Sequence, residues 1–95
     1  MPFVWRISIN KTPGGIGYTY DPNPLNNVAT GDQIIWTNND DKPHWPGVKD
    51  NPTYFMQTQI APNSPSSTFV PGVNGTVVYV DSLDPNGPAG TINVV

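Results

Sequence analysis

Ninety-five residues carry twelve prolines, nine glycines and no cysteine, with four basic residues set against seven acidic ones. All seven acids are aspartates, and the net charge of −3 without a basic cluster argues against nucleic-acid binding. The missing cysteine removes disulfides, thiolate catalysis and zinc–cysteine sites together.

A chain this short makes one domain, residues 1–95, with a modest core. Its prolines and glycines lie between short apolar runs, which excludes a helical protein and points to many turns. No apolar run is long enough for a membrane span. The opening M-P-F-V-W-R runs directly into a strand pattern, so no signal peptide is expected within these residues. The chain is therefore expected to be cytosolic or, if a signal peptide has been removed, periplasmic or extracellular.

Residues 3–9 alternate, with Phe3, Trp5, Ile7 and Ile9 on one side and Val4, Arg6 and Ser8 on the other; this predicts a half-buried strand. T-P-G-G-I-G is a turn-rich connection. Tyr18 to Tyr20 is extended, and D-P-N-P ends it. Leu25 and Val28 belong to a strand that closes at a Gly31–Asp32 turn. Gln33 to Asn38 is the clearest strand, with Ile34 and Trp36 on one face.

Residues 39–68 are rich in Asn, Asp, Pro, Ser and Thr and carry little periodicity. A loop of that length is usually functional or has minor structure of its own. Within it, Tyr54 to Ile60 reads as a short strand or one helical turn, and Trp45–Pro46 is a candidate cis bond. Thr68 to Val70 begins another strand, and Pro71 to Gly75 turns. Thr76 to Val80 is a β-branched and aromatic run typical of a strand buried on both faces. D-S-L-D-P-N-G-P-A-G is expected to be a loop, and Thr91 to Val95 the last strand. About seven strands at this spacing predict an all-β Greek-key sandwich.

Two segments resemble the cupredoxin family, in particular its plastocyanin and pseudoazurin type. Y-T-Y-D-P-N-P-L-N-N-V-A-T-G-D-Q-I-I-W-T-N-N-D is similar to the family's approach to its first histidine ligand. G-T-V-V-Y-V-D-S-L-D-P-N-G-P-A-G-T-I-N-V-V is similar to its ligand loop between two C-terminal strands. The resemblance implies a cupredoxin-like sandwich from about Tyr18 to Val95. It matches His44 to the first histidine of a type 1 copper site. Asp81 then falls where the cysteine would be, Asp84 where the second histidine would be, and Gly87 or Pro88 where the methionine would be. Blue copper needs a thiolate with two imidazoles, so the resemblance implies the fold without the electron-transfer site.

Each candidate residue has a plainer reading beside the functional one. His44 sits in K-P-H-W-P-G, where prolines on both sides restrict the backbone. It is either a retained metal ligand or a loop histidine that hydrogen-bonds its neighbours. With Asp81 and Asp84 it could bind Cu(II) or Zn(II) through one imidazole and two carboxylates. Equally, D-P-N-G suits a type I turn started by Asp84, and Asp81 can cap the loop. Trp45, Tyr54 and Phe55 form a docking patch if exposed, and close one end of the sandwich if buried. Met56 fits a gap in the core.

No nucleophile elbow or phosphate loop is present, so no enzyme is expected. Two functions follow. The first is a non-redox binding or interaction module that uses residues 43–56 and 81–88 to dock a protein or glycan partner. The alternative is a type 2 Cu(II) or Zn(II) protein using His44, Asp81 and Asp84.

Overall fold

The computed structural model describes residues 2–95. In chain order the strands are β1 (Val4–Lys11), β2 (Tyr18–Asp21), β3 (Leu25–Val28), β4 (Gln33–Asn38), β5 (Pro46–Gly47), β6 (Ser64–Pro65), β7 (Gly75–Asp81) and β8 (Asp84–Val94). They form two four-stranded sheets, ordered β2-β1-β4-β6 and β3-β8-β7-β5. In the first sheet β1 runs parallel to β4 and antiparallel to β2; in the second, β3 and β8 are parallel while β7 is antiparallel to both its neighbours. The expected all-β sandwich is therefore present.

The core lies between the sheets. Ile7 and Ile9 of β1 and Ile34 and Trp36 of β4 face Tyr79 of β7 and Ile92 and Val94 of β8, all buried. Trp36 meets Tyr79 edge-on, with ring centroids 5.5 Å apart. Burying each such side chain is worth about 1.5–3 kcal/mol, and aromatic edges add to that. At the start of β1 the alternation stops short of the core: Trp5 is half-buried and Phe3 is exposed. Asp32 ties down this end, because its carboxylate accepts from the Phe3 and Ala29 amides and the Trp5 indole. Gly31, at φ +88°, makes the turn that presents Asp32.

Five local expectations are corrected. β7 is not buried on both faces: Tyr79 and Asp81 are buried, while Thr76 and Val78 on the other face are exposed. Thr68 to Val70 forms no strand; only Phe69 bridges to Ile34, while the short edge strand comes earlier, at Ser64–Pro65. Tyr54 to Ile60 is neither strand nor helix; it runs as bends and irregular backbone, and only Ile60 makes a bridge, to His44. Trp45–Pro46 is trans; the cis bonds are Asp21–Pro22 and Asn23–Pro24. The C-terminal loop is a tight hairpin, in which Asp81 pairs with Asp84 across Ser82–Leu83 and Val80 pairs with Ala89. Residues 85–88 bulge between those two rungs. Pro85 and Pro88 lack the N–H that a ladder needs, which accounts for the bulge.

Candidate functional site

The middle loop reaches the site through Asn38, the last residue of β4. It is fully buried, and its amide donates to the carbonyls of Lys42, Ile60 and Ala61. Its side-chain oxygen accepts from the Asp40 amide at 2.9 Å. One side chain thus fixes both halves of a loop with little regular structure. His44 is then held by a backbone pair with Ile60, at 3.2 and 2.7 Å. From the other sheet, the Ser82 amide donates to the Trp45 carbonyl at 2.7 Å.

These contacts bury the His44 imidazole between two carboxylates. Nδ1 lies 2.5 Å from Asp81 Oδ2, and Nε2 lies 2.8 Å from Asp40 Oδ2. All three residues are at least nine-tenths buried. A neutral imidazole has one donor and one acceptor nitrogen, whereas an ionised carboxylate only accepts. Facing two carboxylates, the ring is satisfied on both sides only as imidazolium. Burial alone would lower the His44 pKa, but the hydrogen bonds and charges of Asp81 and Asp40 outweigh it and hold the histidine above its ordinary value. Burial likewise acts to raise both carboxylates, and the imidazolium with backbone amides holds them low instead. Asp81 Oδ1 accepts from the amides of Trp45 and Leu83 at 2.8 and 2.9 Å. Asp40 Oδ1 accepts from the Asp41 amide. The cluster is a hydrogen-bonded Asp40–His44–Asp81 triad.

Asp84 stands apart from this triad. Its Oδ2 accepts from the Tyr18 hydroxyl at 3.0 Å. A Cβ at Gly87 would collide with that carboxylate, so glycine lets the bulge close over the pair. The Tyr18 ring packs on His44 with centroids 4.3 Å apart, and a cation beside an aromatic face is stabilised by its quadrupole. A cleft of ≈ 390 Å³ opens over this arrangement, with Ile16, Tyr18, Lys42, His44, Leu83 and Asp84 among its lining.

Of the residues singled out in the sequence, the structure joins His44 to Asp81 and leaves Asp84 with Tyr18. The residue that sequence reasoning missed is Asp40; its signal was the i, i+4 spacing in D-D-K-P-H, obscured by a second aspartate alongside. The aromatic patch needs a correction. Phe55 is buried against Trp36 and Phe69, each with centroids 4.8 Å away. Trp45 is half-buried and donates its indole N–H to the Met56 carbonyl. Tyr54 alone of the three is exposed, at 38%. Phe55 therefore belongs to the core, with Trp45 packed against it. Met56 is buried in the core.

No family model and no curated protein matches this chain. Solved structures do. A purple cupredoxin from Nitrosopumilus maritimus superposes with a TM-score of 0.75 at 23% identity, over 96% of this chain and 99% of that one. The chain has the cupredoxin fold. Amicyanin from Paracoccus versutus follows with a TM-score of 0.70 at 17% identity, over 97% of this chain and 81% of its own. A reduced Cu(I) form of an amicyanin variant gives 0.69 at 19% identity, over 97% and 82%.

The residues present do not fit a type 1 copper centre. The chain has no cysteine, and the carboxylate of Asp81 is hydrogen-bonded to the histidine matched to the first ligand. Both ring nitrogens of His44 are committed to carboxylates, so neither presents a lone pair. Among the described residues no three His, Cys, Asp or Glu side chains converge as a ligand set.

Proposed function

We propose that this chain is a non-redox, non-enzymatic binding module that keeps the cupredoxin scaffold and docks a partner through the loops around His44. The observation that carries this reading is the state of His44. A ligand position of the fold holds an imidazole whose two ring nitrogens are both taken up by the carboxylates of Asp40 and Asp81. That cluster braces the loops and offers no open coordination site. Around it lies a cleft with an apolar rim, where Ile16 is 96% and Leu83 47% exposed. Such a rim beside polar groups suits a protein or glycan partner. The module is read as exported, periplasmic or extracellular; fractionation of cells expressing the full gene checks this.

A type 2 Cu(II) or Zn(II) site is the second reading, favoured by His44, Asp40, Asp81 and Asp84 lining one cleft. A metal there would have to displace the imidazolium proton and break two hydrogen bonds. Calorimetric titration of metal-stripped protein with each ion, alongside His44→Ala, separates the two. The module predicts no binding tighter than millimolar. Stoichiometric uptake that disappears in His44→Ala would put the metal reading first.

A further inference from the structure

An asparagine side chain can be attacked by the backbone nitrogen of the next residue. Glycine in that next position favours the attack, because it puts no side chain in the way of the ring that forms and turns freely. The chain has two such pairs, Asn74–Gly75 and Asn86–Gly87, and both asparagines are exposed. Asn23 and Asn51 precede proline, which has no amide proton to give up. The remaining asparagines precede residues with side chains.

The fold separates the two pairs. Gly75 opens β7 and forms a rung with Val94 of β8. The Val95 amide donates to Val28 of β3 at 2.7 Å. Backbone groups of successive strand residues point to opposite sides, so Val94 turns its own toward Gly75 and the ladder holds the Gly75 amide. Residues 85–88 have no rung, because the register passes from Asp81–Asp84 directly to Val80–Ala89. Asn86 lies in that bulge and lines a cavity of ≈ 560 Å³ with Lys49, Asp50 and Ser82.

We propose that Asn86 is a self-modification site, which deamidates through its own bulge and thereby loosens the cover of the Tyr18–Asp84 pair. The Gly87 amide nitrogen attacks Asn86 Cγ. A nitrogen–Cγ bond forms, the Cγ–Nδ2 bond breaks, and the side-chain nitrogen leaves as ammonia with the proton that the Gly87 amide gives up. Water then opens the five-membered imide at either carbonyl, leaving an aspartyl or an isoaspartyl residue at position 86. No oxidant, metal or second protein takes part. Both products make the chain one unit more negative, and the new carboxylate enters a cavity that already holds the Lys49 cation. The isoaspartyl form also lengthens the main chain by one methylene. Gly87 has no room for it, since even a Cβ there would collide with the Asp84 carboxylate and the Tyr18 hydroxyl. The bulge must therefore lift from the pair. Residues 81–88 belong to the docking surface proposed above, so a change of partner affinity with age rests on that reading, whereas the modification itself does not.

The test is a time course of the full chain in mildly alkaline buffer, folded and in urea, read by peptide mass mapping with enzymatic methylation of isoaspartate. In the folded chain Asn86 should convert roughly fivefold faster than Asn74, the factor for one backbone hydrogen bond that must open first. In urea the two rates should converge, because the ladder is gone. Asn86→Gln should remove the early product and leave the thermal midpoint unchanged, since the side chain is exposed. The isoaspartyl fraction, separated by its added charge, should exchange the amides of residues 81–84 faster than fresh protein. Conversion at Asn74 ahead of Asn86 in the folded chain would overturn the proposal, as would a ratio that is the same in urea. Unchanged exchange at residues 81–84 would overturn the lifting of the bulge.

Discussion

At the scale of single residues, His44 shows how burial and charge compete. Removing its side chain leaves Asp40 and Asp81 buried without their shared cation. Breaking a buried pair in this way costs about 3–5 kcal/mol, so His44→Ala is expected to lose that much by denaturant titration. The pH dependence follows from the directions of the shifts. His44 titrates above its ordinary value of 6.5 when folded, so its contribution is full below that pH and fades as pH rises through the folded value. Asp40 and Asp81 titrate below their ordinary 3.8, so theirs is present above that pH and fades as pH falls through the folded values. Stability should therefore peak in the mildly acidic window between those two ordinary values. Denaturant midpoints across that window and up to mildly alkaline pH check this, with His44→Gln as control. An alkaline decline that persists in His44→Gln would remove the histidine as its cause.

At the scale of elements, glycines mark where strands must pass closely. A Cβ at Gly90 of β8 would collide with the ring of Tyr79, which is itself buried in the core. Overpacking of that kind costs about 1–3 kcal/mol or more. Gly72 is the opposite case: nothing lies within 4 Å of a Cβ there. Thermal unfolding of Gly90→Ala should show a clear loss, and Gly72→Ala should be neutral or gain about 0.4–1 kcal/mol from a stiffer unfolded chain. Equal effects would mean that the Tyr79 contact does not govern this hairpin. The strands themselves were legible where side chains alternate, as in β4, or run β-branched, as in β7. Phe69 was misleading. It is apolar and flanked by β-formers, yet it packs among Tyr54 and Phe55 and makes only one bridge.

At the scale of the whole molecule, one core joins the sheets. Trp36 of the first sheet touches Tyr79 of the second and Phe55 of the middle loop. Tyr79 in turn touches Tyr20 and Phe55. No sheet can lose its partner without exposing this cluster, so unfolding should be a single two-state transition. Coincident curves from tryptophan fluorescence and far-ultraviolet circular dichroism are expected. Separated curves would show that one sheet survives the other.

The strand count to within short edges, the sandwich and the absence of a thiolate were readable along the chain. Those follow from period-two patterning, turn residues and composition, all of them local properties. The chemistry at His44 came instead from how the chain packs. Asp40, from the loop after β4, and Asp81, at the end of β7 in the other sheet, reach its two nitrogens, and the course of that loop is set by the side chain of Asn38. No local pattern specifies which of several aspartates will face a given imidazole, because that depends on how two sheets pack and where their loops are tied.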